Sequence, residues 1–362
     1  MRMRKHFATG AALAAAAALV LTACGGGGST GSAGGTNDTL TAGVAYETTD
    51  YGPITTSALG MGTNWQVLEG LYRFNMADYS VSPALAAGDP VKVSDTEYEV
   101  SLRDGAKFSD GTDVTAADFV ASYERATSEK SIYRQFFTFV DSVEAKDDKT
   151  ITITLKHPFT NLKERFVNVR VVPASMGEDA LKAKPVGTGP YKYESITATE
   201  VTAVPNEYYN GNEPAKAPTL KWQSLKDDSA RLAAAVGGTI DVMEAVPASA
   251  QDQLKAAGWN VESKPGYGNP FLMFNTQKAP FDKPEVRRAF VKAVDKQKLI
   301  SSALEGQAVE ATSFLPEANP AYKKPATDLS YDKDAATKLL SDAGVTDLEI
   351  NLVTTDHPWI LA

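Results

Sequence analysis

The sequence predicts an α/β fold in a chain long enough for more than one domain. Three observations carry that expectation. A strand, a tight turn and a helix follow one another directly between Tyr98 and Arg125. Segments alternating with period two and segments with helical spacing recur from Leu40 onward. The 362 residues suffice for two or more domains around a large core.

Residues 1–23 read as an export signal. Arg2, Arg4 and Lys5 make a basic start, and Gly10 to Leu21 is an Ala-rich apolar stretch too short to span a bilayer. Leu21-Thr22-Ala23-Cys24 resembles a bacterial lipobox. That resemblance implies cleavage before Cys24, a diacylglycerol thioether on its sulfur, and a location on the extracytoplasmic face of the cell membrane. Two acyl chains suffice for stable anchoring; a plain secretory signal with an incidental cysteine is the alternative. Cys24 is the sole cysteine, so no intramolecular disulfide is possible. Residues 24–39, rich in Gly, Ser and Thr, predict a flexible tether. The net charge is −9, from 36 basic against 45 acidic residues. An acidic body is a poor polyanion binder, which argues against nucleic acid as a partner.

The folded body opens with a strand over Leu40 to Ala45 and a polar loop from Tyr46 to Pro53. Asn64 to Tyr72 has helical spacing, with Val67, Leu68 and Leu71 on one side and an end near Gly70. Tyr98, Val100 and Leu102 then alternate with Glu99, Ser101 and Arg103, as in a half-buried strand. Asp104-Gly105 and Asp110-Gly111 are turn pairs, and Gly111 is expected to need a positive φ. Thr115-x-x-Asp118 is a capping box that opens a helix with Phe119, Val120 and Tyr123 on one side.

Farther on, Val143-Glu144-Ala145 and Ile151 to Leu155 alternate on either side of Asp147-Asp148-Lys149, which predicts a hairpin. Phe166 to Pro173 is an apolar run. Pro185 to Tyr191 (PVGTGPY) lacks the third glycine of a dinucleotide loop and reads as a tight re-entry into a strand. Asp228 to Val236 predicts a helix with Leu232, Ala235 and Val236 inward, and Gly238 to Val242 returns to a strand. Phe271 to Thr276 reads as a short apolar strand. A helix over Val286 to Leu304 follows, with Asp282 as N-cap, Glu285 three residues on, and Phe290, Val294 and Ile300 buried. A helix over Tyr331 to Ala343 closes on Gly344. Leu348 to Thr354 reads as one more strand, and Asp356-His357-Pro358-Trp359 opens a helix.

The string Leu102-Arg103-Asp104-Gly105, Phe108-Ser109-Asp110-Gly111, Val114-Thr115-Ala116-x-Asp118-Phe119 closely resembles the signature of the extracellular solute-binding proteins of family 5. These are the peptide- and nickel-type binding components of ABC importers. The resemblance extends to Asn64 to Tyr72, to Pro83-Ala84-Leu85-Ala86, to Val186-Gly187-Thr188-Gly189-Pro190-Tyr191, to Asn206-Glu207-Tyr208-Tyr209 and to Gly238-x-Ile240-Asp241. It implies a two-lobed, type II periplasmic-binding-protein-like fold with an extra α/β subdomain in the first lobe. Residues 40–74 and 185–265 would form the first lobe, 75–184 the extra subdomain, and 266–362 the beginning of the second lobe. Family members continue past the position of Ala362, so the second lobe is expected to be truncated here. A strand near Met273 would cross between the lobes.

The resemblance also implies a function. The chain would be a membrane-anchored, monomeric receptor that captures peptides or a similar small solute and hands it to a permease driven by an ATPase. Candidate ligand contacts are Tyr46, Glu47 and Thr48 after the first strand, Trp65, and Tyr267, Asn269 and Asn275 around the crossing strand. Glu47 sits where peptide-binding relatives carry a Glu, and it also reads as a solvated loop carboxylate. Trp65 also reads as a core side chain. Nickel chelates and sugars are alternative ligands, although His157 and His357 alone are few for a metal site. A sensor or accessory surface lipoprotein of the same fold is the alternative to import. No cofactor is implied. With no H-x-x-x-H, paired C-x-x-C, G-x-S-x-G or P-loop in the chain, enzyme activity is not expected.

Overall fold

The computed structural model describes residues 38–75, 78, 80–263, 266–319 and 321–354. The expected export signal, Cys24, nearly all of the tether and the helix start at Asp356 lie outside the described residues.

The chain enters as β1 (Thr39–Val44), crosses a polar loop and forms α1 (Ala58–Val67). This helix lies farther upstream than apolar spacing indicates. Ser57 caps it, accepting a hydrogen bond from the Gly60 N–H at 3.4 Å, and it stops at Val67, since Leu68 is already extended at φ −112°, ψ 122°. The next strand, β2, is Tyr72–Phe74. The physical reason is that this segment serves two cores. Val67 and Leu68 are buried in one, and Leu71 and Tyr72 in the other. A single helical stripe faces one side only, so the chain straightens between them.

β3 (Val81–Pro83) pairs antiparallel with β2. β4 (Val91–Lys92), β5 (Glu97–Ser101), α2 (Ala116–Ala126), a 3₁₀ turn at Ile132–Phe137, β6 (Val140–Ala145) and β7 (Thr150–Leu155) follow. The four strands form an antiparallel sheet in the order β4-β5-β7-β6. Its core takes Val100 and Leu102 from the signature strand, Phe119 from α2, and Ile151, Ile153 and Leu155 from β7. The Asp118 carboxylate accepts from the Thr115 backbone N–H at 2.9 Å and from its hydroxyl at 2.8 Å, which starts α2 where the motif places it. Gly105 and Gly111 both sit at positive φ, +64° and +89°. A Cβ on Gly111 would also lie 3.0 Å from the Tyr208 ring, so only glycine fits that corner.

α3 (Leu162–Phe166) and α4 (Glu178–Ala183) flank the apolar run. The chain then builds β8 (Tyr191–Ile196), β9 (Glu200–Pro205), β10 (Thr219–Ser224), α5 (Asp228–Val236), β11 (Val242–Met243) and α6 (Gln251–Ala256). A second sheet runs β11-β1-β10-β9-β8, with β1 parallel to both β10 and β11. The expected α5 forms over the expected residues, with one inversion of its faces. Val236 is exposed, while Arg231 is 1% exposed and turned inward. Arg231 is held by four acceptors: the carbonyls of Leu225 (2.7 Å), Lys226 (2.8 Å) and Ala245 (3.0 Å), and the Asp228 carboxylate. Enough acceptors converge there to outweigh the cost of burying its charge.

From residue 266 onward several expectations need correction. The run Phe271 to Thr276 is not a strand: no neighbour pairs with it among the described residues, and Met273 is 88% exposed. The same holds for Leu348 to Thr354, whose Leu352 and Val353 are exposed. An apolar run needs a partner ladder to become a strand, since its backbone bonds lie outside itself. The long helix is two, α7 (Pro284–Ala293) and α8 (Lys296–Ala303). Lys283 rather than Asp282 occupies the N-cap of α7, with Pro284 in its first turn. Val294 is extended and exposed, and the Asp295 carboxylate accepts from Lys298 N–H at 2.9 Å, starting a new helix. A local Asp cap outcompetes continuation of the first helix. Phe290 packs on Phe274 and Phe281 instead of on a sheet. The last helix, α9 (Lys333–Asp342), ends before Gly344 at φ +72° as expected and packs on α7.

Candidate functional site

The three parallel strands β11, β1 and β10 end on the same edge of their sheet. Open sheets with parallel strands bind ligands in the crevice outside those carboxyl ends. Tyr46, Glu47 and Thr48 follow β1 there. The Ser224 hydroxyl at the end of β10 donates to the Tyr46 carbonyl at 2.8 Å. Glu244, just past β11, accepts from the Ala45 N–H at 3.2 Å. Burial raises the Tyr46 phenol above its ordinary pKa, the Glu244 charge adds to this, and Arg231 opposes it. The buried Arg231 bonds carbonyls beyond both β10 and β11, so it fixes the spacing of this edge.

Each expected contact residue has a definite place. Glu47 is exposed and paired with Lys226 at 2.5 Å, so its carboxylate already faces a cation. The Thr48 hydroxyl is used locally, accepting from Asp50 N–H at 3.0 Å and donating to the Asp50 carbonyl at 3.2 Å. The loop is then tied to α1, because the Asn64 amide donates to the carbonyls of Tyr51 (2.8 Å) and Gly52 (3.2 Å). Tyr193 completes the tie through Thr63 (2.7 Å) and Asn64 (2.8 Å).

Trp65, one residue on, is half-buried and carries the Arg170 guanidinium over its ring at 4.2 Å from the centroid. Tyr133 lies in the same cluster, its hydroxyl 3.6 Å from the Met61 sulfur. Burial pushes Arg170 down to about 10, against the opposing influence of Tyr133 and Glu69. The remaining three candidates lie apart in sequence and are engaged within their own region. Asn269 donates to the carbonyls of Ser313 (3.4 Å) and Phe314 (3.1 Å). The Asn275 side chain accepts from Gln277 N–H at 3.1 Å as a turn residue. Tyr267 is exposed.

The structure therefore brings together Tyr46, Glu47 and Thr48, and links their loop to the helix bearing Trp65. It adds Lys226, Glu244, Arg231, Tyr133 and Arg170, none of which the sequence singled out. Arg170 had a legible signal: it is the sole charge in the run Val167 to Val172. Among the described residues no group of three His, Cys, Asp or Glu is placed to hold a metal, and no helix is long and apolar enough to cross a membrane.

The sequence matches the family model of the bacterial extracellular solute-binding proteins, family 5, over residues 80–361. It is 30% identical over 294 residues to the glutathione-binding protein GsiB of Salmonella typhi, covering 77% of this chain and 56% of that protein. The chain thus spans about half the length of the curated relatives it matches. Among solved structures it is similar to AgaA from A. tumefaciens R10 in complex with agropinic acid, at TM-score 0.74 and 28% identity, over 84% of this chain and 64% of that one. It also shares the fold of the oligopeptide-binding protein AppA of Bacillus subtilis, with TM-score 0.73 and 21% identity over 85% and 64%.

Proposed function

Because the chain belongs to the bacterial extracellular solute-binding proteins of family 5, we propose that it is the solute-capturing component of an ABC importer, held outside the cytoplasmic membrane by a lipid on Cys24. It captures a peptide or a similar small organic acid and delivers it to a permease. The observation that carries this reading is the shared carboxyl-end edge of β11, β1 and β10. There Tyr46, Glu47, Lys226 and Glu244 form a polar rim on a rigid sheet. A small solute with charged ends finds both signs of charge on that rim. The named ligands of two relatives, glutathione and agropinic acid, are both acids. Glutathione is a peptide that carries an amine as well, which matches a rim with Glu47 and Lys226 side by side.

Calorimetry of the full chain against reduced glutathione and a set of dipeptides tests the reading. At least one of them is expected to bind, and Glu47→Gln is expected to weaken the amine-bearing compounds about tenfold, or about 1.4 kcal/mol. Absence of measurable heat with all of them would overturn it.

The anchor has its own test. Cys24→Ser is expected to abolish incorporation of radiolabelled palmitate and release the protein into the medium. Continued labelling of that variant would remove the lipid from the proposal.

A further inference from the structure

Among the described residues several arginines are partly or fully withdrawn from solvent, and Arg103 and Arg231 are spent on the fold. Arg103 donates to Asn210, to the Ala84 carbonyl and twice to Glu69. Arg231 donates to three carbonyls and to Asp228. Arg170 differs. Its one hydrogen bond within the described residues is a long one, from a terminal nitrogen to the Leu68 carbonyl at 3.3 Å. It has no carboxylate ion-pair partner among the described residues. The nearby Glu69 is committed to Arg103 through contacts of 3.1 and 3.3 Å. Arg125 and Arg231 each keep a nitrogen that is sealed off without a partner, whereas Arg170 is half-buried. Its guanidinium carbon lies over the Trp65 ring, 4.2 Å from the centroid.

We propose that Arg170, oriented by Trp65, is the recognition point for a carboxylate of the captured solute, with the Tyr133 hydroxyl as a neighbouring donor. This deepens the solute-capture reading and rests on it. A guanidinium presents five N–H donors in a planar fork that matches a carboxylate in two parallel bonds. Stacking on an aromatic face holds the fork in one orientation and lowers the entropy lost when the anion docks. A cation withdrawn from water without a counter-ion is poorly compensated, and an incoming carboxylate supplies what the fold does not. Burial already disfavours its charged form, in keeping with that geometry. The Tyr133 hydroxyl meets the Met61 sulfur at 3.6 Å, a weak partner that an anion readily replaces.

The test uses malonate as the probe and Trp65 fluorescence as the readout, on the full chain at constant ionic strength. Malonate is expected to change the emission saturably, while chloride, sulfate and the neutral isostere malonamide do not. Trp65→Phe should remove the signal. Arg170→Gln should weaken the response at least tenfold, and Arg170→Lys, which keeps the charge without the planar fork, should fall between. Arg170→Gln responding with the wild-type midpoint would overturn the proposal. So would equal responses to malonate and malonamide or sulfate, or no response in the wild type. A purely structural arginine would instead lower the melting midpoint of Arg170→Gln with the malonate response intact. This assay is independent of glutathione and peptide binding, so failure of those compounds beside a malonate response would strike the capture reading and leave Arg170 as an anion site.

Discussion

Arg103→Ala is expected to destabilise the protein by about 3–5 kcal/mol, the usual cost of breaking one half of a buried ion pair. Arg103 comes from the signature motif, and Glu69 from the segment after α1. The pair has side chains only 18% and 7% exposed. Burial raises the Glu69 carboxyl above its ordinary pKa, and the Arg103 hydrogen bonds and charge offset this in part. Without Arg103 the carboxylate stays buried, with the Thr188 hydroxyl and the more distant Arg73 charge left to oppose the burial.

The sign of the pH dependence follows. A carboxyl whose folded-state pKa is raised binds protons more readily folded than unfolded, so lowering the pH through that pKa favours the folded state. The penalty in Arg103→Ala should therefore shrink as the pH falls from 8 toward 5. Denaturant melts at several pH values check this, and a penalty that grew toward pH 5 would refute it. The double variant Glu69→Met, Arg103→Met should recover most of the loss, because a well-packed apolar pair replaces a buried ionic one at little cost.

Gly187→Ala is expected to cost about 1–3 kcal/mol, the range for forcing extra atoms into a packed interior, with Gly187→Val worse. A Cβ at Gly187 would lie 2.2 Å from the Val67 carbonyl oxygen, and one at Gly189 would lie 2.5 Å from that of Gln66. Both obstacles are backbone and cannot rotate away. The close approach has a purpose. Gly189 N–H donates to the Val67 carbonyl at 2.9 Å, and the Gly187 carbonyl accepts from Ser109 N–H at 2.8 Å. The motif thus joins the end of α1 to the signature turn. Gly62, inside α1, has nothing within 4 Å of its missing Cβ. Gly62→Ala should raise stability by about 0.5–1 kcal/mol through helix propensity alone. Thermal melts of the two variants should move in opposite directions, and a neutral Gly187→Ala would show that the contact relaxes freely.

The amino-acid sequence by itself determined the elements whose bonds close within a few residues. The capping box at Thr115 and Asp118, the β6–β7 hairpin, α5, the Gly344 stop and the positive φ of Gly111 are all of this kind. In each case donor, acceptor or turn residue stands within reach of a single turn of chain, so local chemistry suffices. It also located the loop after β1, since a polar stretch closing an apolar strand has to leave the sheet. Tertiary structure decided the rest. α1 ended at Val67 because two separate cores claimed the residues on either side. Arg231 turned inward because carbonyls from the segments before and after its helix converge on it. The apolar runs at Phe271 and Leu348 formed no strand because pairing requires a neighbour that periodicity does not specify. The site shows the same division. Tyr46 to Thr48 were legible, but Glu244 bonds the Ala45 N–H beside them from 199 residues away, and Trp65 and Arg170 meet only once the apolar run folds back on α1. Such partners are set by the path of the whole chain, because a charge finds its counterpart through space and leaves no mark in local spacing.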